Sequence, residues 1–212
     1  MSALLLSSAE ARVLAALVEK SITTVQYYPM TVNAIMLAAN QKTSRSPVMN
    51  LVEGEVGAAL RVLEQHKLVA RDDFGGRVPK WRHHFHNQLL LKPPMVALLA
   101  TLMLRGPQTL SELRANAAAL GGPADAEAVT AALQDLGDRA QPLVTQLPRA
   151  HGQKEMRYAH TLCGEIAASF APEPAVASAA SSEKATLADL LQRVLALESR
   201  VAQLEQKAPP QL

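Results

Sequence analysis

The chain has 212 residues, of which 49% are hydrophobic and 19% are charged. This composition excludes an intrinsically disordered chain, and the length leaves room for two domains of about 100–150 residues each. The formal net charge of +2 is too small to imply a nucleic-acid partner by itself. Alanine and leucine contribute 37 and 32 residues against seven aromatic ones. Because these two residues favour helices, we expect a mostly α protein with small β-hairpins, in the α+β class.

Cysteine and export signals narrow the class of protein further. The one cysteine, Cys163, excludes an intrachain disulfide framework and a cysteine-based zinc finger. The first residues lack the basic region of a secretory signal. The longest apolar run, residues 93–104, is shorter than the roughly 20 residues that a membrane helix needs. The sequence therefore predicts a cytoplasmic protein without a membrane partner.

The first 90 residues predict three helices followed by a hairpin. Ser7 and Glu10 have the spacing of a capping box, Thr31 can cap the second helix, and residues 73–76 form a turn signal. The predicted elements are helices over residues 8–20, 31–40 and 52–66 and strands over residues 68–72 and 78–86. This order is typical of a winged-helix domain, in which a hairpin wing follows a helix-turn-helix.

Residues 91–163 repeat this order. Thr109 and Glu112 form a second capping box, and Asp125 can cap a further helix. The predicted elements are helices over residues 93–104 and 109–120, a helix beginning after Asp125, and strands over residues 143–147 and 156–162. We therefore expect two tandem winged-helix domains, residues 1–90 and 91–163.

The rest of the chain predicts a linker and a coiled coil. Residues 164–182 are rich in Ala, Pro and Ser, which is typical of a flexible linker, and residues 208–212 are expected to be a disordered tail. Apolar residues then recur at the a and d positions of a heptad over residues 183–207. They are Leu187, Leu190, Val194, Leu197, Val201 and Leu204. This pattern predicts a homodimer through a parallel coiled coil; the alternatives are a helix that folds back on its own domains or a disordered tail.

Three sequence motifs carry a family resemblance. Residues 19–56 read EKSITTVQYYPMTVNAIMLAANQKTSRSPVMNLVEGEV, residues 104–114 read LRGPQTLSELR, and residues 154–160 read KEMRYAH. In this order they resemble the YceH-type family of uncharacterised bacterial proteins. The resemblance implies a tandem winged-helix fold over residues 7–162 and no particular activity. The family tends to have Ser where this chain has Val52, which leaves Asn50 or a shifted start to cap the third helix.

No residue pattern predicts catalysis, a cofactor or a metal site. The chain has no phosphate-binding loop, dinucleotide fingerprint or HExxH motif. Cys163 and His160 lack an identifiable orienting group, so Cys163 is expected to close the last strand. On a strand through residue 86, His84 and His86 would share one face and His83 the other, which supplies too few ligands for a structural zinc.

Charge placement favours a nucleic-acid partner in the first domain. The net charge is +3 over residues 1–90, +1 over residues 91–163 and −2 over residues 164–212. The candidate phosphate-binding residues lie in the loop before the third helix and on the wing: Lys42, Arg45, Arg71, Arg77, Lys80 and Arg82. Against base reading, Glu53 and Glu55 open the third helix, as Asp125 and Glu127 open its counterpart.

Tyr27 and Tyr28 allow two interpretations: stacking on bases or filling a partner's pocket, or packing their long loop onto the helices with hydroxyls in water. We favour packing because aromatic side chains are scarce in this core. Taken together, the sequence predicts a non-enzymatic DNA-binding or transcription-associated dimer. The alternative is a protein–protein adaptor that uses the same winged helices for assembly.

Overall fold

The computed structural model of the protein describes residues 4–72, 78–149 and 155–164. These residues form a mixed α+β fold with two small antiparallel sheets, and all of them belong to one compact unit. Arg77, the coiled-coil positions between residues 183 and 207, and all of the predicted linker except Gly164 lie outside the described residues.

The helices and strands follow the predicted order closely. The helices are α1 (Ser8–Thr23), α2 (Val32–Ala39), α3 (Glu53–Gln65), α4 (Phe85–Gln88), α5 (Pro93–Arg105), α6 (Leu110–Ala117) and α7 (Ala126–Gly137). The strands are β1 (Met30–Thr31), β2 (Val69–Asp72), β3 (Lys80–His83), β4 (Val144–Leu147) and β5 (Arg157–His160). Single 3₁₀ turns follow α1 and α6, at Val25–Tyr27 and Ala118–Leu120.

The predicted helix starts are confirmed where a side chain caps them. Ser7 Oγ accepts from the backbone N–H of Glu10 at 3.3 Å, and the Glu10 carboxylate accepts from the Ser7 N–H at 3.0 Å. Thr109 and Glu112 repeat this reciprocal pair at the start of α6. Thr31 and Asp125 each satisfy one N–H at the start of α2 and α7. Each cap supplies an acceptor to N–H groups that have no partner inside the helix.

Two helices, α1 and α5, form the centre of the hydrophobic core. Residues 11–18 of α1 and 95–104 of α5 are buried throughout, and α1 packs against α2, α3 and α5. Small alanine side chains on both helices leave room for this close approach. Gly106, at a φ of 73°, ends α5 by donating its N–H to the Leu102 carbonyl at 2.8 Å. The boundary expected near residue 90 falls between α4 and α5, and residues on both sides share one core.

The first sheet contains a short strand, β1, that the sequence did not predict. Its order is β1-β3-β2, with β3 paired antiparallel to both neighbours. Strand β1 has two residues, and Met30 lies opposite Trp81. An alternating pattern cannot be read from two residues, so the tertiary pairing decides this strand. The second sheet is the predicted pair β4-β5.

The prediction that a strand continues through residue 86 is wrong. The β2–β3 ladder ends where Val69 lies opposite His83, and the His84 N–H makes one more bond to the Leu68 carbonyl. Lys67, which precedes Leu68, has a φ of 57°, so the backbone that pairs with β3 turns away at this point. Without a partner strand, residues 85–88 form the short helix α4 and bury Phe85.

Two buried arginines connect the end of α2 to its surroundings. Arg45 Nη2 donates to the Ala38 carbonyl and to Glu19 Oε2, at 2.8 and 2.7 Å. Arg12 donates to the carbonyls of Ala39 and Pro47, at 3.2 and 2.8 Å. Cations at the last carbonyls of a helix complement its dipole. Burial, followed by the charge of Arg45, lowers the pKa of Arg12 to about 10.

The connection between α2 and α3 also bonds to the second half of the chain. The Ser46 N–H donates to the Leu104 carbonyl at 2.9 Å, and Arg105 donates to Ser44 Oγ at 2.8 Å. Within the connection, the Asn40 side chain donates to the Leu51 carbonyl and accepts from the Leu51 N–H, both at 2.8 Å. These bonds fix the path of the chain from the end of α2 to the start of α3.

Replacing Arg45 tests whether this network holds the fold. Arg45→Ala leaves the Glu19 carboxylate and the Ala38 carbonyl without their guanidinium partner, and losing one partner of a buried ion pair costs about 3–5 kcal/mol. We expect urea denaturation to show a loss of that size. The matched control is Lys42→Ala, on an exposed side chain of the same connection, which should change the free energy of unfolding by less than about 0.5 kcal/mol. Equal effects of the two changes would contradict the assignment.

Candidate nucleic-acid interface

The β2–β3 hairpin carries most of the predicted phosphate-binding residues. Lys80 lies opposite Asp72, and Arg82 lies opposite Ala70. Because residues directly opposite each other share one face of a sheet, Lys80, Arg82 and Asp72 lie on the same face. Trp81, on the other face, is buried. The alternation of β3 therefore presents two cations on the side away from the core.

Asp72 offsets part of this charge. Arg82 Nε donates to Asp72 Oδ2 at 3.1 Å, and Arg82 Nη2 contacts the same oxygen. The Arg82 side chain is 47% exposed, whereas that of Asp72 is 12% exposed. The half-exposed Arg82 side chain is accessible to a phosphate, although the mostly buried Asp72 competes for it. Asp72 nevertheless lowers the net positive charge of this face.

The other predicted cations lie in different places. The side chains of Lys42, Arg71 and Lys80 are exposed. Lys80 and Arg82 share one face of the paired strands, whereas Arg71 lies opposite Trp81 and therefore belongs to the other face. Lys42 lies on the separate connection between α2 and α3.

Arg45, predicted beside Lys42 at the interface, is instead an interior residue. Its side chain is 0% exposed and forms two bonds to the Glu19 carboxylate. Burial raises the pKa of Glu19, but the hydrogen bonds and charge of Arg45, with Lys20, outweigh burial and lower it overall. A guanidinium used in this way is not available to a phosphate, so the candidate interface excludes Arg45. Residue type and loop position alone could not reveal this, because Glu19 is distant in sequence.

Sequence reasoning missed Lys67 as a candidate cation. Its side chain is exposed in the turn between α3 and β2, and Arg61 is exposed on α3. The helical period offered a signal for Arg61, because the inward positions Val56, Leu60 and Leu63 leave it on the outer face. These two cations lie on the part of the chain that leads from α3 into β2.

The N-terminal end of α3 is acidic and lacks a side-chain cap. Val52 occupies the cap position without a side-chain bond, and the Glu55 carboxylate accepts from the Val52 N–H at 2.8 Å. Asn50 makes no cap and the start is not shifted, so neither of the two expected substitutes for a serine cap is observed; Val52 itself holds the cap position. Glu53 and Glu55 are exposed in the first turn. Negative charge there complements the helix dipole and repels phosphates.

His83 connects the hairpin to α1. Its Nε2 lies 3.0 Å from Ser21 Oγ, and its backbone N–H donates to the Tyr28 hydroxyl at 2.6 Å. The His83 ring meets the rings of Tyr28 and His86 edge-on, at centroid distances of 6.1 and 5.9 Å. Burial, then the charges of His86 and His84, lowers the pKa of His83 to about 4. His83 is therefore neutral at pH 7 and serves as packing between the hairpin and α1.

The two tyrosines differ: Tyr28 packs onto the structure, whereas Tyr27 is exposed and could contact a partner. Tyr28 packs against the core, and burial raises its pKa to about 12. Its hydroxyl accepts from the His83 backbone N–H. Tyr27 is 74% exposed, so it alone is available to a partner.

Two further groups bear on catalysis and metals. Burial, followed by the charge of Glu10, raises the pKa of Cys163, which disfavours a thiolate nucleophile. Burial lowers the pKa of His160 to about 4. Within residues 4–72, 78–149 and 155–164, no group of three or more His, Cys, Asp or Glu side chains could hold a metal ion.

None of the helices in these ranges is long and apolar enough to cross a membrane.

Comparison with known proteins assigns the chain to a family. A match to the family described as "Protein of unknown function, DUF480" covers residues 6–153. The chain belongs to the DUF480 family. It is 46% identical to a UPF0502 protein of Acidovorax sp. (strain JS42), over 94% of this chain and 89% of that one. It is 44% identical to a UPF0502 protein of Geotalea uraniireducens (strain Rf4), over 95% and 88%, respectively. The expected family resemblance is confirmed.

Charge removal at the start of α3 tests the role of its acids. Replacing both Glu53 and Glu55 by Gln keeps an amide oxygen for the Val52 N–H but removes the charges, each worth about 0.3–1 kcal/mol at a helix N-terminus. We expect a slightly lower melting temperature and equal or stronger DNA binding. Glu64→Gln, in the last turn of the same helix, is the matched control and should not lower the melting temperature. A loss of DNA sequence preference with unchanged stability would instead assign these acids to base recognition.

The pH dependence of stability tests the burial of His83. The folded-state pKa of about 4 is below the ordinary 6.5, so between these values the unfolded chain binds more protons. The contribution of His83 to stability is therefore fully present above about pH 6.5. It decreases as the pH is lowered, by up to about 1.4 kcal/mol per pH unit, and levels off below about pH 4. We expect His83→Asn to flatten this slope in urea titrations at several pH values. The exposed His66→Asn is the control, and the same slope in both variants would contradict the prediction.

Proposed function

We propose that the protein is a non-enzymatic winged-helix DNA-binding protein that contacts phosphates more than bases. The support for the fold type is the order of three helices and an antiparallel hairpin, with β1 added to the hairpin's edge. The order of α5, α6, α7, β4 and β5 repeats it. In winged helices the third helix and the wing lie against the duplex, which here corresponds to α3 and the β2–β3 hairpin.

The observation that carries the proposal is the exposed positive charge on adjacent strands. Lys80 and Arg82 lie on one face of β3, Arg71 lies on the opposite face of β2, and Arg61 and Lys67 precede β2 in the chain. Cations grouped in this way can neutralise successive phosphates and release counterions. The acids at the start of α3 disfavour major-groove reading, so the expected binding depends little on DNA sequence.

Replacing hairpin cations tests DNA binding directly. Arg77→Ala, Lys80→Ala and Arg82→Ala in one chain should weaken binding to all duplexes alike. The slope of log K against log salt should flatten by about 0.9 for each phosphate that the protein no longer neutralises. Asp72→Asn should act in the opposite direction because it releases Arg82 from its ion pair.

The matched control replaces Lys92 and Arg114 by Ala, which removes exposed cations outside the hairpin. Fluorescence anisotropy with labelled duplexes at several salt concentrations measures all of these variants. Unchanged affinity and slope in the triple variant would refute phosphate binding by the hairpin.

We also propose that the protein is a homodimer through the heptad positions of residues 183–207. The support is the sequence pattern: Val at two of three a positions and Leu at every d position favour two parallel strands. Sedimentation of the full chain and of a chain ending at Ser182 tests this. The full chain should dimerise and the shortened one should be monomeric. A shortened chain that is as dimeric as the full one would refute the role of the heptads.

A protein–protein adaptor is the second candidate function. The observation that favours it is the exposure of three large apolar side chains near the start of α3: Leu37, Val48 and Val52. Measuring how a peptide probe and a DNA probe each bind to the same set of variants distinguishes the two functions.

A further inference from the structure

Three exposed apolar side chains lie on α2 and on its connection to α3. Leu37, Val48 and Val52 are 63%, 56% and 59% exposed. Connections at a protein surface are usually polar, and a group of exposed apolar side chains is typical of an interaction site. We call Leu37, Val48, Val52, Glu53 and Glu55 the α2–α3 surface.

Buried bonds hold this surface in place from beneath. Val48 follows Pro47, whose carbonyl accepts from the buried Arg12 guanidinium. Val52 follows Leu51, whose N–H and carbonyl both bond to the Asn40 side chain. Leu37 lies about one helical turn before Asn40 on α2. The three apolar side chains therefore project from backbone that is already ordered, and binding a partner there would cost this protein little ordering entropy.

Charge indicates which partner fits this surface. Glu53 and Glu55 are exposed immediately after Val52, so negative charge borders the end of this surface next to α3, while the exposed Lys42 lies earlier on the connection. DNA phosphates would be repelled there. In a symmetric contact with a second copy, the same patch would meet itself and bring carboxylates together. The chain's own residues 183–207 carry four basic and four acidic residues, so they offer no complementary net charge.

We propose that the α2–α3 surface binds an amphipathic segment of another protein, with apolar side chains on one face and Lys or Arg beside them. The apolar face would cover Leu37, Val48 and Val52, and the cations would meet Glu53 and Glu55. This proposal rests on the adaptor function and leaves the basic β2–β3 hairpin free for DNA.

The test uses the full chain and a labelled synthetic helix of Leu and Lys in amphipathic order, with a counterpart in which Glu replaces Lys. We expect the wild type to prefer the Leu/Lys helix. Val48→Ser with Val52→Ser should weaken that binding by about tenfold or more, as for central interface residues. The matched control is Leu90→Ser, at an apolar side chain that is 83% exposed elsewhere, which should leave binding unchanged.

Charge reversal provides the second arm. Glu53→Lys with Glu55→Lys should shift the preference toward the Leu/Glu helix, and thermal denaturation of each variant verifies that it is folded. An unchanged preference, or an equal loss in the Leu90→Ser control, would overturn the proposal. Weaker binding of duplex DNA, rather than of the peptide, in the Val48/Val52 variant would assign the surface to DNA. The hairpin variants report DNA binding separately, so the two functions can fail independently.

Discussion

The structure depends on a buried guanidinium that has to be paired. Arg45 lies in the interior, where a charge without partners would be strongly unfavourable, and it is satisfied by Glu19 on α1 and the Ala38 carbonyl near the end of α2. Such a pair adds little net stability compared with apolar packing, but it permits few geometries. It therefore fixes where α2 ends and how the chain leaves it, and Arg12 extends the same constraint to Pro47.

This constraint positions the surface at the start of α3, whereas the hairpin is held by other contacts. Since the connection after α2 is held by α1 and by α5, the start of α3 has a fixed position, and its apolar and acidic groups are presented together. The β2–β3 hairpin is held independently, by pairing with β1 and by the contacts of His83 with Ser21 and Tyr28. One rigid scaffold can thus present a basic hairpin and an apolar, acidic surface of different chemistry. This separation is consistent with a protein that bridges DNA and a protein partner.

Family membership and site chemistry contribute different kinds of information. The family match and relatives at 44–46% identity establish that the chain belongs to DUF480. They do not assign an activity, because a fold can support many functions and each resides in particular side chains. The functional proposals therefore rest on local physics: exposed cations on paired strands, and exposed apolar groups on ordered backbone beside carboxylates.

The sequence by itself determined the local structure. Helix starts at Ser7, Thr31, Thr109 and Asp125 follow from short-range capping, and the helical period identified the buried face of α3, because both depend on neighbours within one turn. Only the tertiary structure decided what depends on distant partners. Strand β1 exists because β3 lies beside it, and the strand predicted through residue 86 ends early because β2 offers no further partner. Arg45 is equally basic in sequence at the surface or in the interior; its pairing with Glu19, 26 positions away, removes it from the interface. Burial and pairing depend on the folded neighbourhood, so residue type alone does not reveal them.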